Sequence, residues 1–142
     1  MPDALAVPNT APGSPHPHRM MFVVAESLIA VGGVAGAVQL ITDTATPPVS
    51  DIEPLGLTSW VVPGVWLFAS VGVPAGTAAW LAWRRSPNAP VAVLVASGLL
   101  GVELAVQIPF IGPSVLQAVF GTAAIGMAGL AIHARHRGWR RA

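Results

Sequence analysis

The sequence predicts an all-α integral membrane protein, a four-helix bundle running up-down-up-down with both termini in the cytoplasm. Three observations carry that expectation. First, four apolar runs, residues 21–41, 60–83, 90–111 and 114–134, each have the length needed to cross a hydrocarbon core about 30 Å thick. Second, every basic residue is an arginine, and Arg19, Arg84, Arg85, Arg135, Arg137, Arg140 and Arg141 fall on one face if the runs alternate; the positive-inside rule makes that face cytoplasmic. Third, a chain of 142 residues that is 54% hydrophobic and 9% charged has more apolar surface than a core of its size can bury. Lipid must cover the remainder, so the bilayer of the plasma membrane is the first expected partner. The formal net charge of +1 hides a sidedness, because Asp43, Asp51 and Glu53 gather in the sizeable outward loop.

Residues 1–19 read as a Pro-rich cytoplasmic tail: Met1 to His18 hold five prolines and no helical period. His16 and His18 flank a proline there without the further ligands or fixed geometry that a metal needs. Met20 and Met21 offer an alternative start that would dispense with the tail, which N-terminal mapping would test. The first run, MFVVAESLIAVGGVAGAVQLI, is too long and too acidic at Glu26 for the core of a cleaved signal peptide. Glu26 stands seven residues beyond Arg19 and is expected to reach the cytoplasmic interface or to pair with that arginine.

The loop TDTATPPVSDIEPLGLTS carries three prolines and three acids, which keep it out of the bilayer. Trp60 opens the second span, and Trp80 and Trp83 close it beside Arg84 and Arg85, so aromatic and snorkelling anchors mark both interfaces. Pro63 and Pro74 each free a backbone carbonyl, and a bend is expected near Pro74. The links RRSPN and Pro109 to Pro113 are short, which makes the joined spans antiparallel neighbours. Arg135 and Arg137 open a basic cytoplasmic tail, residues 135–142, which with Arg84 and Arg85 anchors the topology. His133 and His136 have a ligand-like i, i+3 spacing, but the interleaved arginines oppose a cation.

Every span carries a stripe of small residues at four-residue spacing: Gly32 and Gly36; Gly72 and Gly76; Ser97, Gly101 and Ala105; Ala118, Thr122 and Gly126. Such stripes let helices approach closely, and packing within one bundle is the expected use, with a homodimer through an unused stripe as the alternative. Against this background a few polar side chains stand out. Glu103 and Gln107 are one turn apart on one face of the third span, with Glu103 roughly 22 Å above Asn88 by helical rise. Gln117, near the start of the fourth span, and Gln39, near the end of the first, come to similar depth, level with Trp60, Pro63 and Gly64. Together they predict an outward-facing polar pocket capped by the acidic loop.

A lone carboxylate at that depth costs several kcal/mol. No basic side chain within the spans is near it, so Glu103 is expected to be protonated, hydrated or hydrogen-bonded to Gln107 and Gln117. Two uses follow: proton coupling or binding of a cationic or polar ligand, or an interhelical hydrogen bond that fixes packing.

The Gly-rich first span, Val62-Pro63-Gly64 early in the second, Glu103 with Gln107 in the third, and Ser114 to Gln117 opening the fourth resemble small uncharacterised four-span membrane proteins of high-GC Gram-positive, actinobacterial type. The resemblance covers about residues 20–134 and implies the four-span topology. Small multidrug transporters also place a glutamate in span one, but theirs lies in an aromatic pocket, whereas Glu26 sits among Val24, Ala25, Ser27 and Leu28.

The absence of cysteine excludes disulfides and thiolate chemistry. No cofactor motif or metal site is expected, no soluble catalytic domain accompanies the spans, and Ser–His or Asp–Asp pairs do not share a membrane depth. The arginines are membrane flanks and not a basic groove, so nucleic acid is not an expected partner. The expectation is a non-enzymatic accessory or interaction protein with an unidentified membrane protein as partner. The alternative is a small transporter or proton-coupled ligand binder that uses Glu103, Gln107 and Gln117, with Gln39 behind them.

Overall fold

The computed structural model describes residue 16, residues 18–44 and residues 46–139. The expectations for the Pro-rich segment 1–15 and for Arg140 and Arg141 lie outside the described residues. The fold is all-helical: α1 (Arg19–Ile41), α2 (Val61–Leu67) continuing through a π-helical turn (Phe68–Gly72) into α3 (Val73–Trp83), α4 (Ala89–Ile111) and α5 (Val115–His136). Taking α2 and α3 as one rod, these are four helices of 22 or 23 residues, each long and apolar enough to cross a membrane. The links between successive rods turn the chain back on itself, giving an antiparallel bundle with an arginine end and a loop end.

Capping chemistry explains where the rods stop. After α1, α3 and α5 the residue beyond the C-cap is left-handed: Asp43 (φ 56°), Arg85 (φ 55°) and Gly138 (φ 80°). The next amide then bonds back across the turn, from Thr44 to the Gln39 carbonyl (2.9 Å), Ser86 to Leu81 (2.9 Å) and Trp139 to Ala134 (3.1 Å). This pattern satisfies the last carbonyls of each helix. α5 begins with a capping box: Ser114 Oγ accepts from the Gln117 amide (3.2 Å), and Gln117 Oε1 accepts from the Ser114 amide (3.0 Å).

The expected disturbance at Pro74 takes the form of the π turn. Proline has no N–H to offer the carbonyl of Ser70, and its ring crowds that carbonyl. The backbone widens one turn earlier, and the Val73 amide bonds the Phe68 carbonyl with i→i+5 spacing.

Packing follows one stripe of α1, namely Phe22, Glu26, Ile29, Gly33 and Ala37. At the arginine end, Phe22 joins Ala78, Ala82, Val93, Ala131 and Ala134 in a cluster whose members are fully buried. Above it, Ile29, Val71, Ala75, Leu100 and Ala124 form a second cluster. Two glycines mark the close approaches of α1 to the α2–α3 rod: a Cβ on Gly33 would lie 3.0 Å from the Gly72 amide nitrogen, and one on Gly64 would lie 3.0 Å from the Ala37 carbonyl oxygen and 2.8 Å from Ile41 Cγ1. Gly36 faces Leu67 and Gly76 faces Ala30, so the first two stripes do pack α1 against the α2–α3 rod, although the tightest contacts fall on Gly33 and Gly64, which the stripes did not include. The stripes of α4 and α5 behave differently. Nothing lies within 4 Å of a Cβ placed on Gly98, Gly101, Gly126 or Gly129, and the two helices face one another across an open groove lined by Gly101, Ala105, Ala118 and Gly121.

Candidate functional site at Glu103

Glu103 lies fourteen residues into α4 and is 7% exposed. Three neutral donors converge on its carboxyl group. Trp66 Nε1–H donates to Oε2 at 2.8 Å, Ser70 Oγ–H to the same oxygen at 3.2 Å, and Gln107 Nε2–H to Oε1 at 3.1 Å. The donors come from three different local structures. Gln107 is one α-turn further along α4, Trp66 lies near the end of α2, and Ser70 sits inside the π turn that Pro74 induces. Widening the helix there brings Trp66 and Ser70 to bear on one carboxylate oxygen. The site therefore depends on a proline four residues away from its nearest member.

Two cavities meet at this carboxyl. One, of about 200 Å³, lies between α1, α4 and α5 and is lined by Gly32, Gly33 and Gly36 on one side and by Glu103, Gln107 and Gln117 on the other. The second, of about 340 Å³, opens toward the loop end and is walled by Trp60, Trp66, Val106, Phe110 and the loop residues Pro47 and Ile52, again with Glu103 and Gln107. The loop is built to form that wall. Two short 3₁₀ turns, Val49–Asp51 and Glu53–Leu55, bury Ile52 between them, and the Trp60 indole donates to the Pro47 carbonyl at 2.8 Å. A pocket beneath the acidic loop was expected from the sequence. Its walls, however, are mainly apolar and aromatic, and its polarity is concentrated in Glu103 and Gln107.

The predicted members fare unequally. Gln107 binds Glu103 as expected. Gln117 lines the α1–α4–α5 cavity with Glu103 but makes no hydrogen bond to it. Its Oε1 is taken by the Ser114 amide, and this fixes the amide orientation and leaves Nε2 buried without a partner among the described residues. Gln39 is exposed and lines neither cavity. Trp66 and Ser70 were not anticipated. Their i, i+4 spacing in an apolar span was a visible signal, but the π turn that rotates Ser70 into place had no such signature.

Comparisons with family models, curated proteins and solved structures found no match. The chemistry must be argued from these residues alone. None of the three donors carries a charge, and neither cavity has an arginine or histidine in its lining. An acid so placed draws a proton or a cation, and the Trp60 and Trp66 rings beside it suit an organic cation.

The opposite end holds the remaining expectations. Arg19 does not pair with Glu26. Its Nε donates to the Ala82 carbonyl at 3.3 Å, its Nη2 to the Trp83 carbonyl at 3.2 Å, and its guanidinium lies 5.8 Å from the Trp83 ring centroid. Both carbonyls belong to the C-terminal turn of α3, where the helix dipole favours a cation, and the Ala82 carbonyl also accepts the Arg85 amide at 3.1 Å. Arg84 stacks over Trp80 at 5.0 Å, whereas Arg135, in the last turn of α5, and Arg137, just past its end, stand exposed. His16 and His18, expected in a tail, instead pack on the bundle: His16 lies edge-on to Trp139 at 5.0 Å, and the His18 ring is 5.4 Å from that of His133. Among the described residues no group of three or more metal-ligating side chains assembles.

Proposed function

We propose that this chain is a multi-pass protein of the plasma membrane, with its arginine end cytoplasmic, that binds a small lipophilic cation from the outer side at Glu103. The observation that carries the reading is the uncompensated acid at the junction of two apolar cavities, one of them flanked by Trp60 and Trp66. A mostly apolar cleft of about 340 Å³ is within the range of small-molecule sites. Its one negative group would supply orientation and selectivity, and the indole faces would add cation–π attraction once the ligand is desolvated. Benzyltrimethylammonium titrated into the protein in lipid nanodiscs tests it by calorimetry. The expected result is saturable binding that Glu103→Gln weakens at least tenfold with the fold intact. Equal binding by both forms would remove Glu103 from the site.

A second reading, a non-enzymatic accessory protein, is favoured by the groove between α4 and α5, where Gly98, Gly101 and Gly126 meet nothing. Small residues left uncovered along a membrane helix admit another helix closely, either from a second copy or from a different membrane protein. Crosslinking of the protein in native membranes through a cysteine placed at Gly101 would report such a neighbour.

A further inference from the structure

Glu26 has no part in the site above, yet it is the most isolated polar group in the bundle. It is 1% exposed, and neither carboxylate oxygen has a hydrogen-bond partner among the described residues. It occupies the buried stripe of α1 between Phe22, in the arginine-end cluster, and Ile29, in the middle cluster. The residues those clusters bring from α3, α4 and α5, among them Ala75, Ala78, Val93, Leu100 and Met127, are all apolar. Arg19, two turns away, is committed to the end of α3. Along the bundle, among the described residues, the next titratable groups are His16, His18 and His133 on one side and Glu103 on the other.

The spacing of these groups is regular. His18 caps the start of α1, and Phe22 and Glu26 follow at four-residue intervals, with Phe22 and Glu26 about 6 Å apart along the axis. α1 and α4 run parallel from the arginine end. By helical rise Glu26 stands about 10 Å above that end and Glu103 about 21 Å above it. Ile29 and Leu100, one turn beyond Glu26, line the floor of the cavity that reaches Glu103, Gln107 and the unpartnered Gln117 Nε2. At about 200 Å³ that cavity has room for several waters. Each acid is thus separated from the next titratable or hydrated position by a single apolar constriction, Phe22 below Glu26 and the Ile29–Leu100 pair above it.

We propose that Glu26 and Glu103 are the two stations of a proton pathway through the bundle. A proton enters at the His18–His133 end, resides on the Glu26 carboxyl, passes the Ile29–Leu100 constriction into the hydrated cavity, and is received by Glu103. It leaves through the cleft under the loop. One proton bound at Glu26 is one released there when it moves on, so the path carries protons down their gradient in either direction and needs no second reactant.

The test is proton flux in proteoliposomes containing the full chain, with an imposed pH gradient, a trapped pH-sensitive dye, and potassium with valinomycin to clamp the potential. Wild type is expected to dissipate the gradient faster than protein-free vesicles. Glu26→Gln and Glu26→Leu should each slow protein-dependent flux at least tenfold, Glu26→Asp should retain a part of it, and Phe22→Ala should raise it. Circular dichroism and size exclusion check that the variants are folded; Glu26→Leu provides a second probe because it replaces a partnerless acid with an apolar side chain. Wild-type flux no greater than that of empty vesicles would overturn the pathway, as would undiminished flux in either folded Glu26 variant. No ligand is added, so failure here leaves cation binding at Glu103 to its own titration.

Discussion

The two ends of the bundle are built from the same apolar alphabet and pack in opposite ways. At the arginine end, alanines on α3, α4 and α5 close around Phe22 with no exposed surface, and Trp139 covers the exit, its indole donating to the Ser86 carbonyl at 2.7 Å. At the loop end α1 and α2 stay in close contact at Gly64, but larger side chains line two cavities beside α4, and the loop rests over one of these. The difference lies in residue size. Alanine lets the side chains around Phe22 close up, whereas Leu67, Leu104 and Phe120 line an open cavity. Polar groups follow the same division: Glu103 finds three donors where there is space for Trp66 and Gln107, while Glu26, in the tight half, finds none.

Truncating the plug of the tight end should cost most. Phe22→Ala is expected to destabilise the protein by about 3–5 kcal/mol, whereas Val115→Ala, at 83% exposure, should fall near zero; denaturation in mixed micelles compares them. Next comes the contact between α1 and the π turn. Gly33→Ala would drive a Cβ to 3.0 Å from backbone that cannot swing aside, and a loss of about 1–3 kcal/mol is expected. A Gly33→Ala variant as stable as wild type would show that the helices are not in contact there.

The cradle should yield a smaller effect. Trp66→Phe keeps most of the ring and removes one of three donors to Glu103, for about 1 kcal/mol, read by the same denaturation and by the loss of a hydrogen-bonded indole band in ultraviolet resonance Raman. The smallest change is expected in the open groove, where Gly101→Ala has no neighbour to strike and removes a flexible helix-interior glycine, giving a gain of up to about 1 kcal/mol. A clear loss at Gly101 would indicate that a partner covers the α4–α5 face.

How far these features were readable in the sequence depends on whether they are local. The ends of the four helices agree with the apolar runs to within about two residues, because a membrane-length run, flanking arginines and capping residues are all local signals. The Glu103–Gln107 pair was visible for the same reason, being one turn apart on one helix. Ser114 and Gln117 had the spacing of a capping box, which explains why Gln117 serves the start of α5 and not Glu103. What the sequence did not disclose depends on rotation about helix axes. A π turn at Phe68–Gly72 shifts the phase of everything before it, which is how Ser70 and Trp66 come to face α4. Likewise Arg19 bonds the C-terminal carbonyls of α3 and not Glu26, a competition settled only by the packing of separate helices.

The central claim is that a polar site at the loop end is open to water while the arginine end is packed too tightly to admit a thiol reagent. The chain contains no cysteine, so single cysteines can be introduced without background. The decisive measurement is the labelling rate by a membrane-impermeant thiosulfonate of Leu67→Cys, which borders both cavities, against Ala82→Cys in the tight cluster. The account predicts that Leu67→Cys reacts, and that benzyltrimethylammonium protects it, while Ala82→Cys stays silent. Equal silence at both positions, or faster labelling at Ala82→Cys, would contradict it.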